Sequence, residues 1–418
     1  MNLYGFQNDI LNKTAGANRV AYYLDMGFGK TYVGAEKAMR LKERHTLVVC
    51  QKSKVADWFE HFVTNYDVNV FNLTIEPQID DFMSKCGVGI INYDLIYRRP
   101  KLAKLQDFTL VLDESSLIQH LTTRRTKFIL KMKPKNIILL SGTPISGKYE
   151  HLLSQMWLLG WNISKQAYYN RYIITRDIEV NRSGVKISLV VGYKNVEELK
   201  SKMREHNCVF MKTSEAIDLP RQIYSTIRVE YTPEYMQFKK NRIVNIEGRE
   251  LVGDTTLTAM MYERMLCGQY NKAKLEALSD FLDDAKDRVV IFYNFVEEKE
   301  RIANIVRQKK RPISFVDGKD KDLTNYNERN DAVTLVQYQS GAMGLNLQKA
   351  NKILYFTPPV SCELWQQSKK RIHRVGQERP CFYYRLFCKG SIEEKIYRAL
   401  QKGVDYTERL FENERESV

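Results

Sequence analysis

Two glycines, a lysine and a threonine near the N-terminus have the types and spacing of a phosphate-binding loop. The segment reads Asp25-Met26-Gly27-Phe28-Gly29-Lys30-Thr31, after an apolar run at residues 20–24 and before a helix-forming run at residues 31–42. Glycines let backbone N–H groups close around phosphate oxygens, and the helix N-terminus adds a positive dipole end. The lysine would reach the β- and γ-phosphates of a nucleotide, and the threonine hydroxyl would bind Mg²⁺. Leu24 stands where the strict pattern has its first glycine, so a simple turn before a helix is the alternative.

A pair of carboxylates follows another apolar run. Asp113 and Glu114 come directly after residues 109–112, which predict a buried strand. The first carboxylate can hold a metal ion through water, and the second can polarise an attacking water. An Asp-Glu pair alone is usually a solvated turn, but in the same segment as Gly-Lys-Thr it favours a Mg²⁺-dependent nucleoside triphosphatase. The next predicted strand ends in Ser141-Gly142-Thr143-Pro144, whose hydroxyls can hydrogen-bond the carboxylate loop.

Two arginines near the C-terminus have the spacing to act on one anion. Arg371 and Arg374 are three residues apart in a segment that we expect to be helical, so both side chains would leave the same helix face. Arginines directed at a γ-phosphate stabilise the transition state of hydrolysis by roughly 10³–10⁵ in rate. An ordinary basic helix is the alternative interpretation.

Short apolar runs alternate with helix-forming segments and predict the elements that position these residues. The runs form two sets, at residues 20–24, 46–50, 88–91, 109–112 and 137–140, and at residues 289–293, 313–316, 332–336, 353–356 and 382–387. Buried strands that alternate with helices indicate parallel sheets, hence an α/β fold with two lobes. The intervening residues 147–287 hold predicted helices at 149–159, 196–205 and 256–267, and a β-like patch at 185–191.

Taken in order, these motifs resemble the Swi/Snf-like ATPases of helicase superfamily two. Besides the loop, the acid pair and Ser-Gly-Thr-Pro, the matching segments are Leu3-Tyr4-Gly5-Phe6-Gln7, LVVCQKSKVADW at 47–58, Ile91-Asn92-Tyr93-Asp94, Lys212-Thr213-Ser214, Lys274-Leu275, the segment 340–347, Arg-Ile-His-Arg-Val-Gly-Gln at 371–377 and Ser391 to Ile396. Together they cover nearly the whole chain. The resemblance implies two RecA-like parallel-sheet lobes, with mostly helical insertions between them and ATP in the cleft.

The resemblance also implies a role for individual residues. Catalytic roles fall to Lys30, Glu114, Gln367, Arg371 and Arg374, and metal contacts to Thr31 and Asp113. ATP contacts fall to Gln7, which would read adenine, to Asp25, Met26, Gly27, Phe28, Gly29, Lys30 and Thr31, and to Gly344 and Asn346. Nucleic-acid contacts fall to Gln51, Lys52, Ser53, Asn92, Tyr93, Asn294 and Ser340.

The chain departs from the family pattern after the acid pair. Ser116 replaces the usual histidine, and Gln119-His120 replace the usual Lys-Asn, which puts in doubt how hydrolysis is coupled to movement. The family match begins and ends close to the ends of the sequence, as in compact members from phages and bacteria. We therefore expect a cytoplasmic protein, located in the bacterial host cytoplasm if it is phage-encoded.

Composition narrows the partners. The net charge is +15, from 65 Lys and Arg against 50 Asp and Glu, which favours a polyanion such as DNA. No apolar run is long enough to span a membrane, and no secretory signal is evident. The seven cysteines include no C-x-x-C pair, so structural zinc is not expected and reduced thiols are favoured. We expect ATP and Mg²⁺ as ligands, duplex DNA as a phosphate-directed partner, and a monomer, with a targeting protein left open.

The expected domains are a RecA-like lobe at residues 1–160, a helical and β insertion with the interlobe linker at 161–227, a helical protrusion at 228–287, a second RecA-like lobe at 288–405 and a charged tail at 406–418. The sequence favours an ATP-hydrolysing motor that moves along DNA. A strand-separating DNA or RNA helicase and a non-motor NTPase scaffold remain as alternatives. The complete set of Lys30, Asp113, Glu114, Arg371 and Arg374 argues against an inactive scaffold.

Overall fold

The computed structural model describes residues 3–25, 27–142, 144, 148–179, 186–211, 219–341 and 345–401. The chain divides at residue 216 into two compact units, called here the N-terminal unit and the C-terminal unit. Each is built around a sheet of seven strands. No helix in the described ranges is long and apolar enough to cross a membrane.

The N-terminal unit is organised around a fully parallel sheet. Its strands and those of a separate hairpin are β1 Arg19–Leu24, β2 His45–Cys50, β3 Val70–Asn72, β4 Gly87–Asn92, β5 Phe108–Asp113, β6 Asn136–Ser141, β7 Ile173–Glu179, β8 Lys186–Tyr193 and β9 Cys208–Met211. The order in the large sheet is β3-β4-β2-β5-β6-β1-β9, and every neighbouring pair is parallel. Strands β7 and β8 form an antiparallel hairpin of their own.

Helices cover both faces of this sheet, which is why its central strands are continuously apolar. In β1, Val20 and Tyr22 belong to one buried cluster, whereas Ala21 and Tyr23 belong to the cluster on the opposite face. The helices are Gly5–Lys13, Lys30–Leu41, Val55–Asn65, Gln78–Ser84, Tyr93–Ile96, Arg124–Lys131, Leu153–Leu158, Lys165–Tyr172 and Val196–Glu205. Because parallel strands all end at one edge, the loops that follow β1, β5 and β6 lie side by side.

The C-terminal unit repeats this design around its own sheet. Its strands are β10 Gln222–Val229, β11 Ile243–Ile246, β12 Arg249–Val252, β13 Val289–Tyr293, β14 Ile313–Val316, β15 Lys321–Asp322, β16 Val333–Gln337, β17 Lys352–Tyr355 and β18 Cys381–Cys388. The order is β10-β18-β17-β13-β16-β14-β15, with only β15 antiparallel to its neighbour. Its helices are Pro233–Asn241, Thr256–Cys267, Lys272–Asp284, Val296–Gln308, Thr324–Glu328, Tyr338–Gly341, Cys362–Lys369 and residues 392–401.

The predicted α/β fold with two parallel-sheet lobes is confirmed, and every apolar run named above overlaps a strand. The sequence did not reveal the edge strands β3, β9, β10 and β15. Strand β10 illustrates the reason, because its residues are exposed or half-buried and alternate little in polarity. The predicted helical protrusion also contains a hairpin, β11 with β12, that the sequence did not suggest.

Candidate nucleotide site

The loop between β1 and the helix Lys30–Leu41 has the backbone of a phosphate-binding loop. Gly27 and Gly29 both have left-handed φ angles, of 92° and 70°, which favour glycine over any residue with a side chain. A Cβ atom on Gly29 would also lie 2.6 Å from Nε2 of Gln7. Position 29 therefore needs glycine both for its backbone conformation and for the lack of space for a Cβ atom. The loop leads directly into the helix N-terminus, whose backbone N–H groups are a favourable site for phosphate.

Lys30 is placed to meet a phosphate group. Its Nζ atom donates to the carbonyl oxygens of Leu24 at 3.1 Å and Asp25 at 3.5 Å, so the side chain folds back along the loop. Thr31 follows in the first helical turn and is half-buried. This arrangement fits the roles that the resemblance implies for both residues, a lysine on phosphate and a hydroxyl on Mg²⁺.

Gln7 lies directly against this loop. Its Nε2 atom donates to the carbonyl oxygen of Phe28 at 2.8 Å, and its Oε1 atom accepts from the backbone N–H of Tyr4 at 3.0 Å. Phe6 packs edge-on against Phe28, with ring centroids 4.8 Å apart. The predicted adenine-reading segment is therefore joined to the phosphate loop through backbone and aromatic contacts.

Asp113 ends β5 and is oriented by two buried aromatic residues. The indole Nε1 of Trp58 donates to its Oδ2 at 2.8 Å, and the hydroxyl of Tyr93 donates to its carbonyl oxygen at 3.0 Å. A carboxylate held in this way keeps a fixed direction, which suits a ligand of Mg²⁺ acting through water.

Glu114 adopts a left-handed backbone conformation, with φ of 58°, that is costly for a residue with a side chain. The hydroxyls of Ser141 and Ser116 both donate to its Oε1, at 2.9 and 3.4 Å. Burial raises its pKa above the usual 4.5, Asp113 raises it further, and the positive charge of Lys30 opposes this rise. Ser116, which stands where the family has histidine, therefore donates a hydrogen bond directly to the carboxylate of Glu114.

The two predicted nucleic-acid residues at the end of β4, Asn92 and Tyr93, are not presented to solvent. Asn92 is 3% exposed and Tyr93 is 2% exposed, and the Tyr93 hydroxyl donates to the backbone carbonyl oxygen of Asp113. Lys52 and Ser53, in contrast, form an exposed single-turn helix after β2, next to the half-buried Gln51. Among the predicted nucleic-acid residues whose side chains the structure describes, Lys52 and Ser53 are the exposed ones.

In the C-terminal unit, Arg371 and Arg374 lie on turns and not on a helix face, so that prediction is wrong. The helix ends at Lys369. The backbone N–H of Arg371 donates to the carbonyl oxygen of Ser368 at 3.2 Å, and the carbonyl oxygen of Arg371 accepts from the backbone N–H of Leu347 at 3.0 Å. Even so, Nη1 of both arginines points to the carbonyl oxygen of Leu345, at 3.4 Å in each case. The two guanidinium groups thus converge, as expected.

Arg374 also donates to Oδ1 of Asn346, a predicted ATP contact, and burial lowers its pKa from the usual 12.5. Gln367 is buried, and its amide donates to Oε1 of Glu363 at 2.9 Å. The amide of Asn294 donates inside the unit, to Oγ1 of Thr357 at 2.8 Å and the carbonyl of Pro358 at 3.1 Å. Met26, Gly344 and the side chain of Ser340 lie outside the described residues.

Two side chains of the site were not assigned from the sequence. Trp58 lay in the quoted family segment at 47–58, but nothing in its spacing indicated a bond to Asp113. Gln155 and its neighbour Ser154 interrupt an apolar run, Leu152-Leu153-Ser154-Gln155-Met156, and polar residues at buried helix positions were the available signal.

In the N-terminal unit, a glycine loop between β1 and a helix, with an acid pair at the end of β5 two strands away in the same parallel sheet, is typical of phosphate-loop nucleoside triphosphatases. Comparison with known families identifies an SNF2-related domain at residues 23–272, followed by a helicase conserved C-terminal domain at residues 273–376. The first match alone spans more than half of the chain, so the chain belongs to the SNF2-related family. This pair of domains indicates an ATP hydrolase.

Individual relatives are distant. A Mycoplasma pneumoniae protein named an uncharacterized ATP-dependent helicase is 22% identical over 89% of this chain and 38% of its own length. The DNA repair and recombination protein RAD26 of Saccharomyces cerevisiae is 25% identical over 77% of this chain and 33% of its own. The chain thus spans between about a third and two fifths of these relatives. The SWI2/SNF2 ATPase core of Sulfolobus solfataricus, solved with double-stranded DNA, is 20% identical, covers 96% of this chain and 91% of its own, and has a TM-score of 0.48.

Proposed function

We propose that this chain is a DNA-stimulated ATPase motor that couples ATP hydrolysis to translocation on double-stranded DNA, in replication, recombination or repair. The observation that carries the proposal is the half-buried carboxylate of Glu114. It is held by Ser141, follows the oriented Asp113 and lies within electrostatic reach of Lys30. These are the parts that Mg²⁺-dependent phosphoryl transfer to water requires.

Each residue has a distinct task in this proposal. Lys30 would bind the β- and γ-phosphates, and Thr31 and Asp113 would hold a Mg²⁺ ion, which would supply positive charge next to the phosphates. Glu114 orients the attacking water and accepts its proton, for which a raised pKa is suited. Arg371 and Arg374 then act on the charge that develops on the transferred phosphate. Gln7 ties the recognition of adenine to the geometry of the loop.

DNA is the proposed partner because of charge and exposure. The surplus of positive charge is large, and the exposed residues Lys52 and Ser53 offer a contact point at the carboxyl edge of β2. Phosphate-directed binding gives an affinity that falls with salt, with a log–log slope of about −0.9 for each duplex phosphate neutralised. Names of relatives that refer to DNA repair and recombination support the same class of partner.

Translocation without strand separation is favoured by the segment 348–366, where many helicases of this superfamily carry a β-hairpin wedge. It contains β17, a loop and the start of the helix Cys362–Lys369, and no hairpin. Strand separation is the second candidate, because hairpins occur elsewhere. The pair β11–β12 buries Val244 and Leu251 and leaves Ile243 and Val252 exposed, so one of its faces is free for contact.

The test uses one preparation of the full chain. ATP hydrolysis is measured with double-stranded DNA, single-stranded DNA, forks and RNA, followed by displacement of a triplex-forming strand and unwinding of a labelled fork. We expect the strongest stimulation by duplex DNA, and ATP-dependent triplex displacement without fork unwinding. Efficient fork unwinding with no triplex displacement would replace the translocase by the helicase. An absence of ATP hydrolysis on every substrate would leave only the scaffold alternative.

A further inference from the structure

The carboxamide of Gln155, in the helix Leu153–Leu158, is fully buried in the N-terminal unit and makes three hydrogen bonds. Its Oε1 atom accepts from the hydroxyl of Tyr23 at 3.0 Å and from the hydroxyl of Ser115 at 2.7 Å. Its Nε2 atom donates to the carbonyl oxygen of Pro144 at 2.7 Å. A buried amide with this many short bonds fixes the relative positions of its partners.

The three partners come from the three segments that form the nucleotide site. Tyr23 lies in β1, just before the phosphate loop, and Ser115 directly follows Glu114. Pro144 belongs to the turn after β6, the strand whose last residue, Ser141, donates to Glu114 itself. One side chain therefore joins the phosphate-loop strand, the acid pair and the Ser-Gly-Thr-Pro turn.

Glu114 needs such support because of its backbone. A left-handed conformation is unfavourable for a non-glycine residue and persists only where the surroundings fix it. The bond from Ser115 to Gln155 holds the residue after Glu114, and the bond from Ser141 holds its carboxylate. Together they determine the direction of the proposed base.

The chemistry requires glutamine at position 155. Tyr23 and Ser115 both donate, so they need an acceptor, whereas the Pro144 carbonyl needs a donor. A glutamate in its place has no N–H for Pro144, and a methionine of similar shape can neither accept two hydroxyls nor donate. Only a terminal carboxamide of this length serves all three partners.

We propose that Gln155 is a positioning residue for ATP hydrolysis: it sets the geometry of Asp113 and Glu114 relative to the phosphate loop without touching the nucleotide. This role rests on the proposed ATPase activity. A displacement of the base by about 1 Å costs up to 10²-fold in rate, whereas phosphate binding by Lys30 and the loop is unaffected. The expected signature is a loss in kcat without a matching change in KM for ATP.

The experiment compares Gln155→Met with Gln155→Glu and with the control Ser154→Ala. Ser154 is the buried neighbour on the same helix, and its Oγ has no hydrogen-bond partner among the described residues. We measure kcat and KM for ATP, the melting temperature, and amide hydrogen exchange of residues 113–118. We expect kcat to fall roughly 10- to 100-fold in Gln155→Met, with KM changed less than about threefold. Exchange at 113–118 should accelerate in the Gln155 variants only.

Unchanged kcat in a folded Gln155→Met protein would overturn the role, and so would a rise in KM that accounts for the whole loss. If Gln155→Met does not fold, the same measurements on Gln155→Glu test the proposal. This variant keeps the acceptor oxygen for Tyr23 and Ser115 and removes the N–H that bonds Pro144. Should the wild-type chain itself fail to hydrolyse ATP, the proposed function fails separately. Hydrogen exchange then still judges the positioning, because equal protection of residues 113–118 in all variants contradicts it.

Discussion

Glu114 in the N-terminal unit is half-buried, Glu393 in the C-terminal unit is fully buried, and the two carboxylates are held in different ways. In the N-terminal unit, the hydroxyls of Ser141 and Ser116 donate to Oε1 of Glu114, and burial raises its pKa. In the C-terminal unit, Glu393 is fully buried and meets Lys274 Nζ with both oxygens, at 2.6 and 2.8 Å, while the Cys388 N–H donates to Oε2 at 3.0 Å. The carboxylate of Glu114 has no cation bonded to it in these contacts and is available for chemistry, whereas the carboxylate of Glu393 is neutralised by Lys274 and serves stability.

The same distinction applies to the basic groups. Burial lowers the pKa of Lys274, but the charge and hydrogen bond of Glu393, together with the thiols of Cys388 and Cys267, leave that pKa raised. Arg374 has neutral acceptors, Leu345 and Asn346, and its pKa is lowered by burial. A half-buried cation held by neutral oxygens is suited to receive an anion, whereas Lys274 is already neutralised.

The largest expected effect is that of Arg374→Ala. We expect kcat at saturating DNA to fall by roughly 10³–10⁵, with KM for ATP changed less than threefold, because the arginine acts on transition-state charge. Steady-state ATPase kinetics measure both constants. Arg379→Ala is the control, since Arg379 is exposed and lies 3.7 Å from Asp287. Equal losses in kcat and affinity would place Arg374 among the residues that hold the fold.

The next effect is that of Glu114→Gln, which we expect to lower kcat by roughly 10²–10⁴ while ATP still binds. The variant keeps the shape of the side chain but removes the base. Steady-state turnover assays measure hydrolysis, and equilibrium binding of ATP measures the binding step separately. Glu43→Gln, which alters a carboxylate paired with Lys135 at 2.8 Å, should hydrolyse ATP normally. Turnover by Glu114→Gln at nearly the wild-type rate would show that another group is the base.

Lys274→Met tests the matched side of the comparison. Leaving Glu393 buried without its cation should lower the free energy of unfolding by about 3–5 kcal/mol, measured by urea denaturation. Arg398→Met, at an exposed pair with Glu394, should change it by less than about 1 kcal/mol. The double variant Lys274→Met/Glu393→Leu should recover most of the loss. Loss of ATPase activity in Lys274→Met below its melting temperature would contradict a purely structural pair.

The smallest expected effect is on the pH dependence of stability. The pKa of Glu114 is raised in the folded chain by burial and then by Asp113, so the folded state holds this proton more tightly than the unfolded state. Below pH 4.5, the wild type and Glu114→Gln should have the same free energy of unfolding. As the pH rises through the raised pKa, the free energy of unfolding of the wild type should fall progressively below that of the variant. Urea denaturation of both proteins from pH 4 to pH 8 measures this difference. A constant difference across that range would contradict the shift.

How much the sequence could predict depended on whether a feature is local. Continuous apolar runs such as residues 20–24 and 289–293 predicted strands correctly, because both faces of a parallel sheet are buried. The edge strand β10 escaped because half of it faces solvent. The helix through Arg371 and Arg374 was wrong because the Leu347 N–H takes the Arg371 carbonyl, a contact made by a distant segment.

The sequence indicated that the hydroxyl of Ser141 could bond the carboxylate loop, but it did not indicate the pairings of Trp58 and Gln155. The residues of the Trp58–Asp113 bond are 55 positions apart, and those of the Tyr23–Gln155 bond are 132 positions apart. Motif order and spacing indicated the groups that we propose to contact nucleotide, because those motifs follow one another in a fixed order along the chain. Residues that orient these groups have no such order, and only the sheet topology brings them together.

The left-handed backbone at Glu114 has a consequence for anyone who engineers this protein. Glycine at that position would relieve the conformational cost, and an uncharged side chain would remove a half-buried carboxylate. A library screened only for heat resistance or expression would therefore enrich replacements at position 114, and its best members would be inert. Any directed evolution of this chain has to select for turnover and for stability in the same round.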